Sequence, residues 1–254
     1  MCRHLAYIGP PITLEELIYR PPHSLYRQSW APKHQTSDVV NVDGFGVGWY
    51  VDGRPQPVRY RRAMPIWYDV SFASVATAVT ATHVLAALRA ASPGFPIDES
   101  SAAPFTRDRY LFSLNGTVKE WATTGPELHR RLGPEHSALV EAPNDSAVLW
   151  VMVYSRLARG EPLGAALAGV LCDVVAVSGG KVNMLLADGE SWAATTYGHT
   201  LFVRDADDAL VASSEPYDDH AAWQQVPQAS LVTGSAKKGI LIEPLPVPAP
   251  PEVT

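Results

Sequence analysis

Polar and apolar residues alternate from Arg3 to Ile8, the period of a strand with one buried face. Gly44 to Val51 (GFGVGWYV) predicts a second strand, thinned by glycines that let another chain or a ligand approach closely. Between them, Pro21 to Asp43 is irregular, carries three prolines and is long enough to be a functional loop. Further strands are predicted over Val58 to Ala63, Thr82 to Arg89 and Tyr110 to Leu114, the last ending at Asn115-Gly116, with a helix over Asp69 to Thr80. After Asn144 the period changes. Asp145 is a good N-cap, Val148, Val151, Met152 and Ser155 share one helical face, and Leu163 to Val170 predicts a second helix after Pro162. Strands return at Val174 to Ser178, Lys181 to Ala187, Trp192 to Tyr197, Thr200 to Val203, Leu210 to Ser213, Ala229 to Thr233 and Gly239 to Ile242. Strands, then helices, then strands, without helix-strand alternation, predict an α+β fold with antiparallel sheets. One domain over residues 1–243 is expected, followed by a disordered tail, 244–254, with five prolines in eleven residues.

Composition removes several function classes. The 254 residues are 46% hydrophobic and carry a net charge of −6, without the concentrated Lys and Arg that nucleic-acid phosphates demand. Arg59, Arg61 and Arg62 fall with Tyr60 in a predicted strand and read as a solvated strand face. The apolar run before Pro10 is too short for a signal peptide, and no stretch approaches the roughly 18 apolar residues of a membrane span, so a cytoplasmic protein without a membrane partner is expected. That compartment disfavours a disulfide between Cys2 and Cys172. Cys172, in an apolar helical segment, reads as a buried hydrophobe, and Cys2 as the reactive thiol.

Cys2 directly follows the initiator methionine, and removal of Met1 would leave a thiol and a free α-amine on one residue. With a pKa near ~8 the amine is partly neutral at physiological pH and can take the thiol proton, making a nucleophile and base in one residue. Asn115-Gly116 is either a type I′ hairpin turn or a pair of donors aimed at an oxyanion. Arg89 ends an apolar strand, where a guanidinium needs a carboxylate, either a substrate's or a structural acid's, and Ser92 is close enough to add a hydroxyl to the same anion. Asp145 reads as a helix N-cap or as the partner of a substrate ammonium, or both with one oxygen each. The histidines are scattered without metal-ligand spacing, and GFGVG lacks the following helix of a dinucleotide site, so no metal or cofactor is expected.

Taken in order, Met1-Cys2-Arg3-His4, Asp43-Gly-Phe-Gly-Val-Gly, Leu88-Arg-Ala-Ala-Ser, Leu114-Asn-Gly-Thr-Val and Asn144-Asp-Ser-Ala resemble the class II glutamine amidotransferase family of N-terminal-nucleophile hydrolases, across most of the chain. The resemblance implies a four-layer αββα sandwich. It also implies Cys2 as nucleophile toward a γ-glutamyl amide, Asn115 and Gly116 as oxyanion hole, Arg89 on the glutamyl α-carboxylate and Asp145 on its α-ammonium. Two positions depart from the family pattern: Leu114 stands where a histidine is usual, beside the implied oxyanion hole, and Phe45 where a tryptophan is usual. MCRHLAYIGPP, QSWAPKHQ, PIWYDVSFASVA and AAPFTRDRYLFSLNGTV are similar to the branch that removes glutamate from γ-glutamyl-hercynylcysteine sulfoxide in ergothioneine biosynthesis. The partner implied is thus a small γ-glutamyl compound, and self-association into a homo-oligomer is left open. Three rival readings are a glutaminase subunit that feeds ammonia to a separate synthase, a hydrolase of another γ-glutamyl compound such as a peptide or polyamine adduct, and a non-catalytic member that only binds glutamyl ligands.

Overall fold

A computed structural model describes residues 2–35 and 39–247 of the chain. In chain order the elements are β1 (Arg3–Thr13), α1 (Leu14–Ile18), α2 (Leu25–Gln28), β2 (Gly44–Trp49), β3 (Val58–Arg62), α3 (Val70–Ala78), β4 (Thr80–Arg89), β5 (Phe105–Arg107), β6 (Tyr110–Val118), α4 (Trp121–Arg130), α5 (Gly133–Ser137), α6 (Asp145–Leu157), α7 (Leu163–Val177), β7 (Gly180–Ala187), β8 (Ser191–Thr196), β9 (Phe202–Ala206), β10 (Ala209–Ser213), β11 (Gln224–Gln225), β12 (Ser230–Ser235) and β13 (Gly239–Pro244).

Alternation along these strands dictates the layering. On β1, Leu5 and Tyr7 join the core that includes Leu14 of α1 and Phe72 of α3, whereas Ala6 and Ile8 join a second core shared with Leu111 of β6, Leu185 of β7 and Ala194 of β8. The second core therefore lies between two sheets. One is a seven-stranded sheet in the order β11-β9-β10-β1-β4-β2-β3, and the other is six-stranded, β13-β12-β8-β7-β6-β5. Every strand pairing is antiparallel among the described residues. A third core, with Leu114, Val118, Val182, Met184 and Leu186, covers the far face of the six-stranded sheet with α4, α6 and α7. Helices, sheet, sheet, helices make the αββα sandwich.

The same alternation explains the glycines of β2. Phe45 and Val47 point to the helices, so Gly44, Gly46 and Gly48 turn toward the six-stranded sheet. A Cβ on Gly46 would come within 2.3 Å of the Ala103 carbonyl, and one on Gly48 within 2.6 Å of Leu111, so the close approach is made by this chain's own loop and strand β6. The arginines of β3 differ from the expected solvated face. Arg59 and Arg61 are half-buried, donate to the Pro104 and Ala102 carbonyls and pair with Glu141, tying the loop before β5 to the sheet.

Helical period overrides β-propensity at the end of α7. Val174 to Ser178, expected as a strand, closes this helix, because Leu167, Val170, Leu171 and Val174 share one buried stripe. Four short helices escaped the pattern. Two examples are α1, five residues held by a capping box between Thr13 and Glu16, and α2, inside the stretch expected to be irregular. Cys172 is half-buried, and it and Cys2 are both free thiols. Pro244 still pairs with Ser230, and Leu245 is buried with its N–H on the Ala229 carbonyl, so ordered chain runs past the expected boundary. The rest of the expected tail, 248–254, lies outside the described residues. Among the described residues no helix is long and apolar enough to cross a membrane.

The start of β1 is fixed by charge as well as by pairing. Arg3 Nη1 lies 3.2 Å from Glu215 Oε1 with both side chains almost fully buried, and Glu215 Oε2 accepts the Lys33 N–H at 2.6 Å. Removing one member of a buried pair leaves the other charge uncompensated. Glu215→Gln is expected to lower unfolding free energy by about 3–5 kcal/mol. Urea titration checks this, with a midpoint within error of the unsubstituted protein as the contrary result.

Candidate active site

Strand parity brings the sequence-predicted residues together. His4, Ala6 and Ile8 face the space between the sheets, and Cys2 has the same parity one step before β1. Opposite it, β4 runs antiparallel with Arg3 against Leu88. Leu85 lies in the intersheet core, so Ala87 and Arg89 share that face and Arg89 ends up beside Cys2. On β6, Leu111, Ser113 and Asn115 point the same way.

Asn115 and Gly116 do not form a hairpin turn. They sit inside the β6–β7 ladder, Asn115 against Asn183 and Gly116 against Val182, and the strand continues to Val118. Gly116 has φ of +147°, and a Cβ there would lie 1.8 Å from the Lys181 carbonyl oxygen, so no other residue fits. Asn115 is buried with its Nδ2 donating to Ser214 Oγ at 3.3 Å and its Oδ1 unpartnered. Ser214 Oγ also accepts the His4 N–H at 3.0 Å and lies 3.3 Å from the His4 carbonyl. Half a turn of the amide exchanges its two ends. Ser214 then donates to Oδ1, and Nδ2 becomes the free donor.

A cavity of about 670 Å³ opens beside these strands, lined by Asp43, Ala90, Ala91, Ser92, Gly116, Thr117 and Lys181 among others. The partly buried Cys2 thiol lies 3.7 Å from the Ala90 carbonyl. Burial pushes its pKa up, and the Arg89 guanidinium opposes that by favouring thiolate. Arg89 is buried; its Nη2 donates to the Pro96 carbonyl at 2.8 Å, while Nη1 has no partner. No carboxylate forms an ion pair with it among the described residues; the exposed Asp98 feels its charge without contact, so no buried structural acid neutralises it there. Asp43 Oδ2 accepts the Ala91 N–H at 2.8 Å and so holds the chain that carries Ser92 into the cavity wall.

Asp145 is not the N-cap of α6. Asn144 caps, its side chain accepting the Ala147 N–H at 2.9 Å, and Asp145 is the first helical residue. One Asp145 oxygen accepts the Val118 N–H at 3.0 Å and the other the Ser146 N–H at 2.7 Å. Burial raises its pKa, and no cation pairs with it among the described residues. Buried Arg89 and buried Asp145 both act electrostatically on Cys2, one lowering and the other raising its pKa.

Leu114 and Phe45 lie on the outward faces of their strands. Leu114 packs in the core under α6 and α7, and Phe45 against Phe72 at 5.3 Å, so neither side chain faces the cavity. Sequence reasoning missed Ser214, which carries no motif, and Lys181 and Thr117 of the cavity wall. The parity of β7, with Lys181 in step with Asn183, Leu185 and Ala187, is the signal that finds Lys181.

No protein-family model matches the chain. It is 40% identical over 233 residues to a gamma-glutamyl-hercynylcysteine sulfoxide hydrolase of Mycolicibacterium smegmatis, covering 91% of this chain and 95% of that one. The chain belongs to this hydrolase family. A Mycobacterium tuberculosis member is 37% identical over 96% of this chain and 97% of its own. Among solved structures, a glutamine aminotransferase class-II domain protein from Silicibacter pomeroyi covers 96% of the chain and 99% of its own, with a TM-score of 0.70 at 24% identity. A glutamine phosphoribosylpyrophosphate amidotransferase from B. subtilis covers 98% of the chain but 50% of its own, at TM-score 0.72 and 14% identity. These likenesses carry the fold of the family, the sandwich of class II amidotransferases, and nothing of substrate.

In this hydrolase the space between the sheets also holds two neutral histidines. His4 Nδ1 meets Ser113 Oγ at 3.3 Å, and both His4 Nε2 and His199 Nε2 are buried without a partner. Burial lowers the pKa of each to about 3, with the Arg3 charge adding to the effect on both. The unfolded chain binds these protons near pH 6.5 and the folded chain only near pH 3. Their contribution to stability is therefore complete above about pH 6.5 and lost as pH falls toward 3, by up to about 1.4 kcal/mol per pH unit per histidine. His4→Asn, which keeps a donor or acceptor near Ser113, should flatten the acid limb of unfolding free energy against pH by one proton. An unchanged slope counts against a neutral His4.

Proposed function

We propose that this chain is a cysteine N-terminal-nucleophile amidohydrolase that releases glutamate from γ-glutamyl-hercynylcysteine sulfoxide, acting in the cytoplasm, where Cys2 stays a free thiol. One observation carries the reading: a buried cation, Arg89, and a buried carboxylate, Asp145, flank Cys2, and neither forms an ion pair among the described residues. A free α-amino acid head group supplies the missing pair, its carboxylate to Arg89 Nη1 and Ser92 and its ammonium to Asp145. Burying two lone charges is unfavourable without such a ligand, so the site rejects γ-acyl groups that lack either charge. The family relatives add the substrate class.

The chemistry follows from these positions. With Met1 removed, the Cys2 α-amine takes the thiol proton and Sγ attacks the γ-carbonyl carbon. The carbonyl oxygen gathers charge against Gly116 N–H and the Asn115 amide turned by Ser214, donors worth about 2.7–4 kcal/mol each in acyl transfer. The C–N bond breaks as the amine returns its proton to the leaving nitrogen, which departs as hercynylcysteine sulfoxide. Water, deprotonated by the same amine, then cleaves the thioester to free glutamate and the Cys2 thiol. No step calls for a metal or cofactor.

Incubating protein of verified N-terminus with the sulfoxide and with glutamine, while following glutamate release, tests the reading. Release from the sulfoxide that vanishes in Cys2→Ala is expected. Preference for glutamine would instead mark an amidotransferase subunit. Arg89→Gln should remove about 2–5 kcal/mol of transition-state binding, read in kcat/KM, because it leaves the glutamyl carboxylate buried and unpaired. A loss below threefold would detach Arg89 from substrate.

A further inference from the structure

The glutamyl head group uses only one end of the cavity. Past Gly116 the wall continues through Thr117 and, directly across the ladder from it, Lys181. Lys181 is the one cationic side chain among the residues that line this cavity. Its parity on β7 turns it to the intersheet face with Asn183 and Leu185. No ion pair or hydrogen bond holds its ammonium among the described residues. His199, its titratable neighbour, is held neutral with Lys181 contributing, so it sets no like charge beside the ammonium.

The stem is nonetheless placed. The Lys181 carbonyl is locked against Gly116, and a Cβ on Gly198, at φ of +90°, would lie 2.8 Å from the Lys181 γ-carbon. Gly198 thus leaves room for a lysine stem lying along the strand. Lys181 sits one register step past Gly116 on the neighbouring strand, about 4.8 Å across the ladder, and its four-carbon stem carries the ammonium on from there. In a γ-glutamyl amino acid, the carbon bonded to the scissile nitrogen carries a carboxylate, on the leaving-group side of the reacting carbonyl. In glutamine the scissile nitrogen carries no carbon at all.

We propose that Lys181 is a specificity-determining residue that binds the α-carboxylate of the departing cysteinyl group and thereby separates γ-glutamyl amino acids from glutamine. This rests on the hydrolase reading above and names what that reading leaves open, the recognition of the leaving group. The free ammonium gains a charge-assisted partner only when the leaving amine is an α-amino acid. Glutamine, able to fill the Arg89 and Asp145 end, leaves Lys181 unpaired.

The experiment compares γ-glutamyl-hercynylcysteine sulfoxide with the same compound whose cysteinyl carboxylate is converted to the carboxamide, in wild type, Lys181→Met and Lys181→Arg. Wild type is expected to prefer the acid by about 10- to 100-fold in kcat/KM, mainly through KM. Lys181→Met, which keeps the stem, brings that preference within about threefold and leaves the carboxamide rate near wild type, while Lys181→Arg restores most of it. Equal losses on acid and carboxamide, or an acid preference unmoved in Lys181→Met, would overturn the assignment with the hydrolase reading intact. Hydrolysis of neither compound by wild type would remove the hydrolase reading, and Lys181's role with it.

Discussion

A reactive residue near the end of a chain has to be held still, and for Cys2, the proposed nucleophile, the constraint is met by making the first strand a central one. β1 is paired on both edges, with β4 on one side and β10 on the other, so that the residue before it is delivered into the gap between two sheets. That gap cannot be wholly apolar, because the site at its mouth needs charges and donors. Arg3 with Glu215, His4 with Ser113, and Ser214 with both His4 and Asn115 form a buried polar seam that locks β1 to β6 and to the segment after β10. Each member is positioned by another, so the proposed oxyanion donors and the proposed nucleophile share one set of supports.

The sequence made much of this visible because the signals were short and local. Alternation on β1 and the glycine-thinned run of β2 announced strands, and the order of strands and helices announced antiparallel sheets. The candidate site residues Cys2, Arg89, Ser92, Asn115, Gly116 and Asp145 could be named from motifs and family likeness. What could not be read was context. Asn-Gly is the strongest local turn signal, yet the ladder with β7 keeps Asn115-Gly116 extended, because only a glycine fits against the Lys181 carbonyl. The cap fell to Asn144 rather than Asp145 because two donors, Val118 and Ser146, already claim the aspartate oxygens. Ser214 gave no sequence signal, and Lys181 only its strand parity, since their roles depend on which strand lies across from them.

Parity also accounts for the two departures from the family pattern. Leu114 and Phe45 occupy strand positions that face the helical layers, where volume and apolarity decide and a cavity ligand is never met. Positions one step away on the same strands, Asn115 and Gly46, meet a polar partner or a backbone carbonyl at close range. Tolerance thus switches with every residue along β2 and β6.

The Arg3–Glu215 pair and the His4–Ser214 bond join residues separated by more than two hundred positions, 210 for the latter. Loops of that length close late, since most of the chain must exist before the contact can. A growing chain that has not yet reached Glu215 can pair β1 with β4 but can neither close its other edge on β10 nor bury Arg3 beside its carboxylate, so the first strand is fully fixed only late. The proposed mechanism needs Met1 removed, and in this topology full enclosure of Cys2 waits until β10 and Glu215 have been made.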